Sequence, residues 1–275
     1  MSTLARHKHH LAALHDIRDI MGALKNISLT EGLRLRRFLE SQQRVIAGIE
    51  TAMSDFLAYY PQVPTSEATS EVLLLIGSER GFCGDFNEAV LRCLPNGGKN
   101  CLLVAVGEKL ATKLQEARLT ADTLNGPTTV EEVPATLLAV VDKLHTLNNG
   151  HGDARLTIVH HQYDGHVMSL RRRQPFLDFG AKPASQGYPP TLTLAPQDFY
   201  PALIDHYLFA VLHGIFYGSL AAEHQLRLQH LQGAMEQIDR QSAALNQRYN
   251  SLRQELITEE IELILLSADA HLRPS

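Results

Sequence analysis

From Leu4 to about Tyr60 the apolar residues recur every three or four positions, through Leu11, Leu14, Ile17, Met21, Leu24 and Ile27. That spacing lines one face of an α-helix. No proline interrupts the run, so one long helix is predicted, loosened at Gly32, where a glycine weakens a helix interior. The stripe resumes in shifted phase through Leu35, Phe38, Leu39, Ile46, Ile49, Met53 and Phe56, and ends before Pro61 and Pro64, which do not continue a helix. At 1.5 Å per residue such a helix reaches roughly 80 Å, more than the width of a small domain.

The other end of the chain carries a heptad from Ala221 to Leu266. One seam position runs Ala221, Leu228, Met235, Ser242, Tyr249, Leu256 and Leu263; the second runs His224, Leu231, Ile238, Leu245, Leu252, Glu259 and Leu266. Only Ser242, His224 and Glu259 break an apolar stripe of period 3.5, which predicts a left-handed coiled coil. Upstream, Asp198 to Leu220 is apolar on all sides (Leu203, Ile204, Leu208, Phe209, Val211, Leu212, Ile215, Phe216), as expected of a helix covered by other protein. Together these make a terminal helix of about 70 residues, on the order of 100 Å long.

Between the helices the texture changes. Val72–Ile76, Cys101–Val106 and Leu156–His160 are short apolar runs that read as strands, and Phe86–Leu94, Glu108–Ala117 and Val133–Leu147 read as helices between them. Alternating strands and helices predict a mostly parallel sheet. Ala181–Pro196 holds four of the twelve prolines and is expected to be the loop back to the terminal helix. The fold class is therefore α/β, with a Rossmann-like domain inserted between two long coiled-coil helices. The expected segments are 1–60 for the first helix, 61–196 for the α/β domain and 197–275 for the last helix.

Charge and composition narrow the function. A formal net charge of -5 and a pI near 6.3 do not suit a nucleic-acid binder, which gathers a cationic surplus on one face. No run approaches the 18 apolar residues of a membrane span, and the His-rich start lacks the hydrophobic core of a signal peptide. Cys83, Cys93 and Cys101 are odd in number and irregularly spaced, which suits a reducing compartment. The histidines, among them His7, His9, His10, His160 and His161, form no HExxH motif; they are expected to be solvated on helix faces or strand ends, and no metal or cofactor is expected.

The sharpest local feature is Ser78-Glu79-Arg80-Gly81-Phe82-Cys83-Gly84-Asp85-Phe86-Asn87, a glycine-punctuated turn between a strand and a helix. Its spacing fits neither a dinucleotide loop nor a P-loop. It is expected to be a structural turn, with Gly81 and Gly84 in backbone conformations that other residues resist and Cys83 a small core residue. Arg171-Arg172-Arg173 is expected at an exposed strand or hairpin edge, with an acidic or phosphorylated partner as the other reading.

Two segments, in this order and with a long helix at each end, resemble the gamma subunits of F-type ATP synthases. Arg253-Gln254-x-x-Ile257-Thr258-x-Glu260-Ile261 is similar to that family's Arg-Gln-x-x-Ile-Thr-x-Glu-[Ile/Leu] signature, and Ser267-Ala268-Asp269-Ala270 stands where a Gly-Ala-x-Ala ending is usual. The Ser78–Asn87 turn is similar to Ser-Asp-Arg-Gly-Leu-Cys-Gly-Gly-Leu-Asn. Ile20-Met21-Gly22-Ala23-Leu24-Lys25 departs from the family's Ile-Thr-Lys-Ala-Met, and Leu263 replaces a Glu; both point to a divergent bacterial branch of the sodium-driven, alternative kind.

The resemblance implies a central-stalk rotor whose terminal helices pair antiparallel inside a ring of alpha and beta subunits. It implies further contacts with an epsilon subunit and the membrane c-ring, and a place on the cytoplasmic face of the bacterial plasma membrane. On that reading the chain has no catalytic residue of its own, and Arg253, Gln254, Thr258 and Glu260 make polar contacts with the beta subunits. Two other readings fit the patterns: a coiled-coil scaffold that dimerises through Ala221–Leu266 around an α/β sensor domain, and an α/β enzyme holding a phosphorylated ligand at Gly81–Gly84. Whether the long helices pair within one chain separates the rotor from the scaffold.

Overall fold

The computed structural model describes residues 3–60, 70–94, 101–151, 154–163, 167–175 and 189–271. Its elements are α1 (Thr3–Tyr59), β1 (Ser70–Ile76), α2 (Phe86–Arg92), β2 (Leu102–Val106), α3 (Glu108–Glu116), β3 (Asp122–Leu124), a 3₁₀ turn (Val130–Glu132), α4 (Val133–His151), β4 (Ala154–Tyr163), β5 (Met168–Arg173) and α5 (Pro196–His271). Pro61, Pro64 and half of the Ala181–Pro196 loop lie outside the described residues, as do the side chains of Ser267–Ala270. The chain forms two compact units, Met1–Ile27 with Gln229–Ser275, and Ser28–Leu228. The division thus falls inside α1 and α5, whereas the sequence segments break at the ends of those helices.

In the unit of Ser28–Leu228 the sheet order is β3-β2-β1-β4-β5. β1 pairs parallel with β2 and β4, β2 pairs parallel with β3, and β5 closes the edge antiparallel to β4. The period of two along β1 sorts its side chains. Leu73 and Leu75 meet Val90 of α2 and Leu110 and Leu114 of α3. Val72, Leu74 and Ile76 meet Val133, Leu137 and Val140 of α4 together with Leu35, Met53 and Phe56 of α1 and Tyr207, Val211 and Phe216 of α5. This second face is the larger core, and it explains why α5 is apolar all round there. By length and composition alone α5 is apolar enough to cross a membrane, yet from Leu203 to Ala222 most of its large side chains are covered by the sheet and α1.

α1 is unbroken at Gly32. The roughly 1 kcal/mol that a helical glycine costs is outweighed by the apolar packing of α1 on the larger core at Leu35, Met53 and Phe56. Arg171–Arg173 fall on the edge strand β5, with Arg172 paired to Glu71 and Arg173 to Glu50. Charged side chains on an edge strand discourage pairing with other chains.

In the unit of residues 1–27 and 229–275 the two long helices pair within one chain. Arg18 Nε donates to Asp239 Oδ1 at 2.6 Å, and Lys25 donates to Gln232. Seven residues forward on α1 match seven back on α5, so the pairing is antiparallel. The less exposed positions of α5 follow the expected heptad through Leu231, Met235, Ile238, Ser242, Leu245, Tyr249 and Leu252. On α1 the heptad runs instead through Leu11, Leu14, Arg18, Met21 and Lys25, while Ile17 and Ile27 are about half exposed. The apolar count misplaces the seam here because Arg and Lys stems lie along it and keep their charged ends at the rim.

Candidate functional site

The turn after β1 stands at the switch point of the sheet. The chain leaves β1 for β2 and β3 on one side and returns to β4 on the other, and the crevice at the carboxyl ends of such strands is where open α/β folds bind ligands. Gly77 begins the turn with no space for a side chain: a Cβ there would lie 2.3 Å from Cβ of Leu110. Ser78 is held by Asn87, which accepts from its amide at 2.9 Å and donates to its hydroxyl at 2.8 Å. Glu79 accepts from the amides of Glu108 and Gly126 at 2.9 and 2.7 Å, so one carboxylate caps α3 and fastens the loop after β3.

The left-handed backbone angles fall on Phe82 (φ 64) and Gly84 (φ 57). Gly81 has ordinary angles and open space around it, so of the two glycines expected to need special conformations only Gly84 does. A bulky residue at positive φ is strained unless its surroundings impose it, and the backbone on either side of Phe82 is tied down.

The ties come from α5. Arg227 Nε donates to the Gly81 carbonyl at 3.1 Å, Nη2 lies 3.3 Å from Cys83 Sγ, and Nη1 lies 3.2 Å from His224 Nδ1. Nη2 also pairs with Glu223, whose carboxylate accepts from the Arg80 amide at 3.5 Å. Glu223 and Arg227 are only 5% and 6% exposed. Burial pushes the Glu223 carboxyl up against the pull of Arg227. Behind this cluster Cys83, Phe86 and Ala222 form a small core with Tyr163, Met168 and Leu226, and His161 stacks on Phe86 with ring centroids 3.9 Å apart. The crevice is therefore filled by the chain's own helix.

Its chemistry is correspondingly quiet. Burial pushes the Cys83 thiol up to about 12, so it is not a thiolate at neutral pH. Burial lowers His160 to about 4, and burial with the Arg227 charge lowers His224 to about 4. His161 is lowered by burial too, and its Nε2 lies 2.9 Å from the Phe86 carbonyl. His160 and His161 are buried, not solvated as expected, because β4 lies inside the sheet between β1 and β5, with His161 packed on Phe86 of α2 and His160 on the opposite face, the one that carries Ile158. Among the described residues no group of three or more His, Cys, Asp or Glu is placed to hold a metal ion.

Arg253, Gln254, Thr258 and Glu260 lie far along α5, all exposed. Thr258 Oγ1 donates to the Gln254 carbonyl at 2.9 Å. At helical spacing the four alternate with Ile257, Ile261 and Ile264 on adjacent stripes, and Leu256, Ile257, Ile261, Leu263, Ile264 and Leu265 are 45% to 67% exposed. The pairing of Arg18 with Asp239 and of Lys25 with Gln232, carried outward, sets Thr3 opposite Gln254. Beyond Gln254 no described residue of α1 remains to cover the helix. Glu223 and Arg227 were not singled out from sequence; the available signal was an acid and a base four residues apart where the apolar stretch of α5 gives way to the heptad.

Known proteins share both the sequence and the fold. The family model described as ATP synthase matches residues 3–270. The ATP synthase gamma chain of Maricaulis maris is 26% identical, covering 94% of this chain and 100% of the relative, and that of Caldanaerobacter subterraneus subsp. tengcongensis is 23% identical, covering 94% and 96%. Among solved structures, a chain of the Euglena gracilis mitochondrial ATP synthase OSCP/F1/c-ring assembly superposes with a TM-score of 0.66 at 18% identity, covering 98% of this chain and 94% of that one. A chain of the rotor of the same enzyme superposes with a TM-score of 0.61 at 17% identity, covering 93% and 99%. An intrachain antiparallel pair of long helices, an inserted α/β domain with a plugged crevice, and matches along nearly the whole length lead to one assignment: this chain belongs to the gamma-chain family of ATP synthases.

Proposed function

We propose that this chain is the central-stalk rotor of a rotary ATP synthase, coupling ion movement through a membrane sector to ATP synthesis or hydrolysis on beta subunits. The observation that carries this reading is the pairing of α1 with α5 inside one chain, followed by a stretch of α5 whose apolar side chains are uncovered. A homodimeric scaffold would use the same heptads between chains. The uncovered stretch suits a socket of alpha and beta subunits, in which Arg253, Gln254, Thr258 and Glu260 meet polar groups of beta while the isoleucines between them are buried.

On this reading segments 1–60 and 197–275 form the shaft, and 61–196 faces the epsilon subunit and the c-ring at the cytoplasmic face of a bacterial plasma membrane. The chain contributes no nucleophile, metal ligand or cofactor to the reaction. Its part is to favour a different state in each beta subunit as it turns.

The test is extraction in mild detergent with the chain tagged in its α/β domain. Recovery of one copy with three alpha and three beta subunits and ATP hydrolysis is expected; a bare homodimer would overturn the reading. In the recovered complex, Arg253→Ala with Gln254→Ala is expected to weaken coupling by about 1–3 kcal/mol, as loss of interfacial polar contacts does. Unchanged hydrolysis and ion pumping would remove those two residues from the interface.

A further inference from the structure

The guanidinium of Arg227 makes two kinds of contact. Those to Glu223 and His224 stay within one turn of α5, and those to the Gly81 carbonyl and Cys83 Sγ reach the turn between β1 and α2. Burying a guanidinium is costly unless its N–H groups find acceptors, and all three of its nitrogens do so here. An intrahelical pair with Glu223 alone needs none of the contacts to the turn. The apolar packing of α5 on the sheet is non-directional and resists separation more than rotation or sliding; hydrogen bonds of fixed geometry resist both. Arg227 also stands one residue before Leu228, the last residue of its compact unit on α5.

We propose that Arg227 is a positioning residue that locks α5 to the turn between β1 and α2, so that torque received by the α/β unit is carried into α5 instead of being lost as slip at the turn. This rests on the rotor reading above. The crevice of the sheet then works as a keyed joint, with Arg227 the key and the Gly81 carbonyl and Cys83 the slot.

Arg227→Lys tests it, because an ammonium keeps the pair with Glu223 but does not reproduce the planar fork that reaches both Gly81 and Cys83. In the assembled complex the amides of Arg80 and Phe86 are expected to exchange hydrogen at least tenfold faster in the variant. Ions pumped per ATP hydrolysed are expected to fall severalfold while hydrolysis is retained. Unchanged exchange and unchanged coupling would reduce Arg227 to a neutraliser of Glu223, and a loosened turn with unchanged coupling would equally overturn the proposal. Should the variant fail to assemble, the wild-type complex decides: the amides of Arg80 and of α5 near Glu223 are expected to exchange through one common opening, and separate rates would refute the joint. Failure of the wild-type complex to pump ions on ATP hydrolysis would instead count against the rotor reading, leaving the exchange result on the turn intact.

Discussion

Two stretches of α5 have similar aliphatic content and opposite fates. From Leu203 to Leu220, Tyr207, Val211, Leu212, Ile215 and Phe216 are buried against the sheet and α1; from Leu256 to Leu265 nearly every aliphatic side chain is exposed. The difference lies in what stands opposite. The first stretch has α1 and a sheet face; the second has passed the described end of α1. Hydrophobicity marks a residue as wanting cover, and the rest of the chain decides whether that cover is internal. Uncovered aliphatics interleaved with Arg253, Gln254, Thr258 and Glu260 are, on the rotor reading proposed above, a surface completed by another molecule.

The sharpest way to break this comparison is to truncate one side chain in each stretch. Phe216→Ala is expected to destabilise the chain by about 3–5 kcal/mol in urea titration, as buried aromatic deletions do, while Ile264→Ala changes it by less than about 0.5 kcal/mol. Equal losses would mean that the exposed stretch is packed in solution.

Acid titration comes next in size. His160 and His224, held near 4 in the folded chain and near 6.5 when unfolded, bind fewer protons folded than unfolded. Stability therefore falls as pH drops from about 6.5 toward 4, by up to roughly 3 kcal/mol per histidine at 1.36 kcal/mol per pH unit. His224→Gln should flatten part of that slope in denaturant midpoints measured across the range, whereas the stretch of α5 from Leu256 to Leu265, which holds no histidine, should not alter it.

A smaller effect separates the two glycines of the turn. Gly84→Ala, forced to a φ of 57, should lose about 1 kcal/mol; Gly81→Ala, with ordinary angles and open space, should be near neutral by the same titration. Smallest of all is Arg18→Ala, whose exposed pair with Asp239 should add only a slight melting-temperature difference that disappears in high salt.

Much of this was legible in the sequence. Period-two and period-3.5 patterns placed β1, β2, β4, α2, α3, α4 and both long helices within a few residues, because burial on one face writes itself into spacing. β3 escaped because three residues, Asp122 to Leu124, are too few to show a period. The seam of α1 was misread at Ile17 and Ile27 because Arg18 and Lys25 serve it with their aliphatic stems. The histidines of β4 looked solvated because a strand's central position depends on partners far away in sequence. The joint at Arg227 was hidden for the same reason: its acceptor at Gly81 is 146 residues distant. The Arg253–Ile261 signature, by contrast, was readable only as a resemblance, since among the described residues its side chains are exposed and the bond from Thr258 to Gln254 stays within the helix.

The two amides gathered by Glu79 set a condition on grafting. Where gamma chains usually carry Ser-Asp-Arg-Gly, this chain has Ser78-Glu79-Arg80-Gly81, and a single oxygen of the Glu79 carboxylate accepts from both the first amide of α3 and that of Gly126. An aspartate, one methylene shorter, does not carry its oxygen to that shared point, so both amides need a new acceptor. A chimera that imports a relative's turn without its matching loop after β3 would inherit an unfastened loop, so the turn, the start of α3 and Gly126 are transferable only as a set.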